Sequence, residues 1–252
     1  MTTASNAPFD VLGYLEDFRA AAASAGGRLN QFGEIDGYPL LAWTRRTAGP
    51  RPRVYLSAGV HGDEPAPPLA LLDLLRAGFF DHRADWFICP VINPIGLQRG
   101  IRENGEARDL NRDYQDCLSR EVQAHVGWLQ HQPPFDLTLC LHEDWESQGF
   151  YLYELNPRQR PTLAPIMISA VAGLMPIESA EIIDGRPIAE PGIIRPVSDP
   201  SLRNAWPEAI YLRQAHTTLS YTLETPSALQ LQSRIAAQKA AITAAITALI
   251  RG

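Results

Sequence analysis

The segment VYLSAGVHGDEP, residues 54–65, decides how the rest of the chain is read. Its first seven residues form a compact apolar run of the kind found in buried strands. The run ends in His61-Gly-Asp-Glu64 and Pro65, and apolar residues then recur at helical spacing over 64–77. A strand that turns directly into a helix is the repeating unit of an α/β sheet, where functional loops follow the carboxyl ends of strands. In that turn an imidazole and a carboxylate three residues apart can face one point, which is half of a metal site. The bland alternative is that Asp63 caps the helix, Glu64 occupies the first turn favoured by the helix dipole, and His61 is incidental.

Working outward, the same kind of run recurs as WFICPVI (86–92), LTLCL (137–141), FYLYE (150–154) and LSYTLE (219–224), with helical patterns over 119–131, 161–174 and 206–217. Upstream, Phe9, Leu12, Leu15 and Phe18 predict a helix within 8–25, ended by Gly26-Gly27. Two extended runs over 28–45 flank Asp36-Gly37, a hairpin signal. The Ala-rich tail 227–250, with Ser227 as a candidate cap, is predicted to be a covering helix, with a contact between copies as the alternative. The prediction is one α/β domain over residues 1–252, with a mixed, mostly parallel sheet covered by helices on both faces.

The chain has 252 residues, with 22 Lys and Arg against 28 Asp and Glu, a net charge of −6. That balance argues against a nucleic-acid binder or an anionic-membrane binder. Three scattered cysteines, Cys89, Cys117 and Cys140, make neither a disulfide framework nor a cysteine metal site, so any metal must use His and carboxylates. There is no basic region followed by an apolar run at the amino terminus and no long apolar stretch, so a soluble cytoplasmic protein is expected.

In LTLCLH, Leu137, Leu139 and Leu141 share one strand face while Thr138, Cys140 and His142 share the other, so His142 emerges where the strand stops. With His61 and Glu64 it makes a His-Glu-His set that leaves one zinc position open. Glu224 ends LSYTLE on the face of Ser220 and Thr222. A carboxylate there needs a salt-bridge partner, or it stands ready to take a proton from water beside a metal. Residues 93–114 read as a Gly-rich loop carrying Arg99, Arg102, Arg108, Asn111 and Arg112. Asn111-Arg112 could grip a carboxylate, or the arginines could pair with Glu103, Glu106 and Asp109. The acidic run Glu143, Asp144 and Glu146 either draws an ammonium group or supports His142. His82, His125, His131 and His216 lack ligand spacing and read as surface or ordinary polar residues.

The ordered set HGDE (61–64), NPIG (93–96), Arg102 and Asn104, DLNR (109–112), His142 and YTLET around Glu224 resembles the carboxypeptidase A-like zinc metallopeptidase superfamily. That superfamily includes the succinylglutamate desuccinylase and aspartoacylase branch. The resemblance implies a phosphorylase/hydrolase-like carboxypeptidase fold and one zinc ion on His61, Glu64 and His142. It further implies Glu224 as general base, Arg102 at the oxyanion, and Asn111 with Arg112 on the substrate carboxylate. A substrate-covering tyrosine is expected, and Tyr211 is the candidate. Ala107 stands where many relatives have glycine, and the Pro-Gly-rich stretch 184–200 is expected to line the pocket. The implied reaction is metal-assisted hydrolysis of an amide in a small peptide, with an N-acyl amino acid as alternative substrate and a catalytically silent binding protein as a second alternative.

Overall fold

In the computed structural model, which describes residues 9–251, helices and strands alternate along most of the chain. The order is α1 (Val11–Ala25), β1 (Arg28–Ile35), β2 (Tyr38–Arg45), β3 (Arg53–Ser57), α2 (Ala66–Arg76), β4 (Asp85–Cys89), α3 (Pro94–Arg99), α4 (Arg120–Leu129), β5 (Leu137–Asp144), β6 (Tyr151–Leu155), α5 (Ala164–Val171), β7 (Ile182–Ile183), β8 (Arg186–Pro187), β9 (Ile193–Ile194), α6 (Glu208–Ala215), β10 (Ser220–Pro226) and α7 (Leu231–Arg251). Eight strands form one sheet in the order β1-β2-β4-β3-β5-β10-β6-β9. Its four central strands, β4, β3, β5 and β10, run parallel, whereas β2 and β6 flank them antiparallel. The β1–β2 turn places Asp36 and Gly37 at φ 50° and 89°, as a two-residue hairpin with this twist requires.

Both faces of the sheet are covered. Helices α1, α2, α5 and α7 pack over one core with Val54, Leu56, Leu137, Leu139 and Leu141, while α4 and α6 close a second core around Tyr55, Phe87 and Cys140. Alternation along β3 and β5 therefore sorts side chains between two apolar layers, and His142 follows Cys140 onto the α4–α6 side. No helix among the described residues is long and apolar enough to cross a membrane.

Three local expectations are corrected. Residues 94–99 form a helix rather than loop, because Asn93 accepts from the Gly96 N–H at 2.9 Å and Pro94 presets the first helical φ. Asp63 does not cap α2, which starts at Ala66 after Pro65 with no cap of its own. The Glu143 carboxylate caps it from a distance, accepting from the Ala66 N–H at 2.7 Å. Ser227 lies ahead of α7 and instead donates its N–H to the Asp144 carbonyl at 2.8 Å.

Candidate active site

The register of the parallel core brings the first pair of functional residues together. Strand β10 aligns Glu224 beside His142 of β5, and on its other side beside Tyr151 of β6. Strand β3 ends at Ser57, opposite Cys140, so the turn that follows carries His61 and Glu64 to the same sheet edge. Glu64 bridges the two imidazoles, with Oε1 2.6 Å from His61 Nδ1 and Oε2 2.9 Å from His142 Nδ1. All three side chains are buried, and one ligand atom from each lies within 4.8 Å of the others. Two nitrogens and a carboxylate at this spacing fit a tetrahedral divalent ion with a free position.

Asp109 is the residue that sequence reasoning missed, having appeared there only as a surface partner for arginines. Its Oδ1 lies 3.1 Å from His61 Nε2, and its Oδ2 accepts from Arg102 Nε at 3.2 Å. A carboxylate on the far ring nitrogen fixes both tautomer and ring plane, so Nδ1 is left to face the cation position. The signal was available in DLNR, where the aspartate sits two residues before the proposed clamp.

The glycines of the two motifs meet. A Cβ on Gly62 would come within 1.9 Å of the Gly96 backbone, so HGDE and NPIG are two sides of one contact. That contact positions Arg102, whose carbonyl accepts from the Gly62 N–H at 3.3 Å and from Asn93 Nδ2 at 3.2 Å. The Arg102 guanidinium then stands 3.9 Å from Glu64. Buried Asn104 shapes the next turn, with Oδ1 accepting from Glu106 and Arg108 N–H groups at 3.0 Å and Nδ2 donating to Glu121 at 3.1 Å. Ala107, inside this turn, is held at φ 58°, the left-handed conformation that glycine adopts without strain.

Electrostatics follow from this packing. Burial alone would depress His61, but the Glu64 and Asp109 carboxylates outweigh it and raise its pKa to about 9. Burial would raise Glu64, yet the two histidines bring it down to about 2, and His61 and Arg102 likewise hold Asp109 below the usual carboxylate range against its own burial. Glu224 goes the other way. It is partly open to the cavity but closely surrounded by protein, and burial, aided by Glu64 and Asp144, pushes it well above the ordinary value against the pull of His142.

These groups border a cavity of about 380 Å³ whose wall includes His61, Glu64, Arg102, Asn111, Arg112 and Glu224. A further part of the wall comes from the 184–210 segment, with Asp184, Arg186, Pro196 and Arg203, the first three within the Pro-Gly-rich stretch 184–200 expected to line the pocket. Arg186 is paired with Asp184, whereas Arg112 and Arg203 have no carboxylate partner within 4 Å among the described residues. Burial together with the charges of Arg186 and Arg112 lowers the pKa of Arg203, which marks a locally electropositive spot.

Tyr211 does not line the cavity. It sits one helical step beyond Ile210, which does, and packs its ring 6.0 Å from Tyr114 and 5.6 Å from His216. Tyr151 and Tyr153, two apart on β6 and so on one face, border the cavity instead, a pattern visible in FYLYE. All three of the acidic run border the cavity: Glu143 is paired with Arg234 and caps the start of α2, Asp144 accepts from the Tyr151 hydroxyl at 2.9 Å, and Glu146 is exposed. His125 is fully buried rather than a surface residue, its ring between the hydroxyls of Tyr55 and Tyr114.

The solved structures that match the fold over nearly the whole chain include the three that follow. A protein of Shewanella amazonensis SB2B, provisionally termed a metallopeptidase, is 23% identical with a TM-score of 0.83, covering 95% of this chain and 93% of its own. A Shewanella denitrificans OS217 protein given the same description is 22% identical with a TM-score of 0.82, covering 98% of each chain. A metallo-carboxypeptidase from Burkholderia cenocepacia is 21% identical with a TM-score of 0.72, covering 97% of this chain and 70% of its own. No curated protein matches the sequence. The sequence model that matches is that of the succinylglutamate desuccinylase/aspartoacylase catalytic domain, over residues 50–250. The chain belongs to that family of hydrolases, and its fold is that of the carboxypeptidases.

Proposed function

We propose that this protein is a zinc-dependent hydrolase of an amide bond in a small substrate with a free carboxylate, cleaving peptides in the manner of a metallocarboxypeptidase. One observation carries this reading: a carboxylate, Glu224, stands beside the His61-Glu64-His142 cluster, and both face a cavity that is also lined by Arg112 and Arg203, which have no carboxylate partner within 4 Å among the described residues. The expected partner is therefore a small anionic molecule rather than nucleic acid or a membrane, and the three free thiols suit a cytoplasmic setting.

His61, Glu64 and His142 would hold the ion, which supplies a Lewis acid that polarises the scissile carbonyl and makes water more acidic. Glu224, with its raised pKa, takes the proton from the attacking water as the C–O bond forms. It returns that proton to the departing nitrogen as the C–N bond breaks. Arg102 faces the oxygen that gains charge, and a donor so aimed is typically worth about 3–4 kcal/mol of barrier lowering. Asn111 and Arg112 hold the carboxylate, and the amide and guanidinium donors give this grip direction as well as charge.

Membership of the desuccinylase/aspartoacylase family favours a second reading, in which the same residues remove an acyl group from an N-acyl amino acid. A panel of dipeptides set against N-succinyl and N-acetyl amino acids, assayed with zinc-loaded enzyme, separates the two. Turnover of dipeptides alone is expected. Turnover of the acyl amino acids alone would replace this reading with the second, and zinc binding with no turnover of either class would leave a binding protein.

A further inference from the structure

We propose that Glu208, which touches neither the cation ligands nor the cavity, is the positioning residue of the carboxylate clamp: it locks the start of α6, whose backbone N–H fixes the amide of Asn111. The inference rests on reading Asn111 and Arg112 as that clamp.

Helix α6 begins after Pro207 and has no side-chain cap of its own. Its first N–H, that of Glu208, donates to Asn111 Oδ1 at 2.9 Å, so the cap comes from a residue 97 positions away in sequence. A backbone N–H can only donate, and the Asn111 oxygen must therefore face the helix. The two Nδ2 protons are left for the cavity that Asn111 borders, where they make no hydrogen bond to a described residue. In that orientation the amide offers donors to a carboxylate. Flipped, it would present an oxygen and repel one.

The Glu208 side chain holds this arrangement from below. It is fully buried and accepts from the Tyr55 hydroxyl at 2.7 Å and the Ser57 hydroxyl at 2.9 Å, both on β3. Tyr55 has one proton to give, so its oxygen accepts from His125 Nε2–H at 2.8 Å. His125 Nδ1 then accepts from the Tyr114 hydroxyl at 2.8 Å. Burial keeps His125 neutral, with its pKa drawn down to about 3, as this chain of donors requires. Tyr114 closes the ring, since it lies three residues after Asn111 and its N–H donates to the Trp206 carbonyl at 3.2 Å, just ahead of α6. The clamp segment is thus tied to α6 at both ends. A buried carboxylate is costly to keep, and one held by two hydroxyls will yield a single geometry rather than several.

The test uses N-benzoylglycyl-phenylalanine and its C-terminal amide as probes. Their dissociation constants are measured by calorimetry on zinc-loaded protein carrying Glu224→Gln, so that nothing turns over, and kcat and KM are measured with Glu224 intact. Loss of one hydrogen bond to a charged group corresponds to about tenfold in affinity, so Glu208→Ala should weaken the acid by about that factor and leave the amide within about twofold. The KM for the acid should rise in parallel, with kcat nearly unchanged. Glu208→Gln should recover most of the loss. Asn111→Ala should show the same acid-selective effect, and the double variant should be no weaker than Asn111→Ala alone. Equal weakening of acid and amide, or additive effects in the double variant, would overturn the proposal. If Asn111→Ala itself spares the difference between acid and amide, the clamp reading falls and takes this inference with it. A selective loss in Asn111→Ala but not in Glu208→Ala overturns the positioning role alone. Should Glu208→Ala fail to fold, Tyr55→Phe, which removes one hydroxyl, decides: an acid-selective loss of about threefold supports the proposal, and none overturns it.

Discussion

The two walls of the cavity are built differently. On the cation side the ligand residues and the groups around them hold one another: Glu64 spans both histidines, Asp109 holds His61 and Arg102, and strand register sets Glu224 beside His142. Along the other wall a loop-borne segment supplies Arg186 and Arg203 around short strands and turns, and Arg203 meets other positive charges more than negative ones. The first wall is preorganised by the protein alone, while the second is left for a ligand to complete. Catalytic chemistry needs fixed geometry, whereas recognition can be changed by exchanging residues of a loop.

The sharpest break of this comparison is on the cation side. Glu224→Gln should keep the metal and reduce kcat by about 10²–10⁴-fold, the usual contribution of a positioned proton acceptor. Full activity in that variant, with metal content unchanged, would remove the base assignment. Asp109→Asn should lower zinc affinity by about 10–100-fold, as loss of an outer carboxylate partner does; chelator competition measures it, and an unchanged affinity would mean that His61 needs no orienting group. On the loop-borne wall, Arg203→Ala should raise KM for carboxylate substrates several-fold while sparing kcat, and a fall in kcat instead would erase the distinction between the walls.

A pH series sharpens the contrast further. In the metal-free protein His61 titrates near 9 and Glu64 near 2, so at neutral pH the cluster carries a proton that an incoming ion must expel. Zinc affinity should climb as pH rises toward about 9 and then level off. The raised His61 stabilises the metal-free fold fully below its unfolded value of about 6.5, and that contribution is lost as pH passes upward through the folded one. The smallest effect expected is that of Ala107→Gly, which relieves a left-handed alanine and should add up to about 1 kcal/mol, partly offset by the freer unfolded chain, read as a shift in denaturation midpoint.

Much of this was legible in the sequence because period-two alternation is a local property. Leu137, Leu139 and Leu141 against Thr138, Cys140 and His142 define the β5 faces without any structure, and Asp36-Gly37 announces its own turn. What local pattern does not encode is pairing across the chain. The caps of α2 and α6 come from Glu143 and Asn111, both remote, so the reading of Asp63 as a cap failed. Tyr211, expected from the resemblance to cover a substrate, does not border the cavity while Ile210 does, because one residue along a helix turns a side chain by about 100°. Glu208 drew no attention because nothing near it in sequence shows that it will be buried beneath Tyr55 and Ser57.

Trp145 sits on the cavity wall and is 69% exposed, whereas Trp43 and Trp86 are fully enclosed. The molecule thereby carries its own optical reporter: an indole in water emits at longer wavelength than its enclosed counterparts and is open to quenching by iodide. A compound that fills the site shields that indole, so occupancy can be followed by fluorescence before any turnover assay exists.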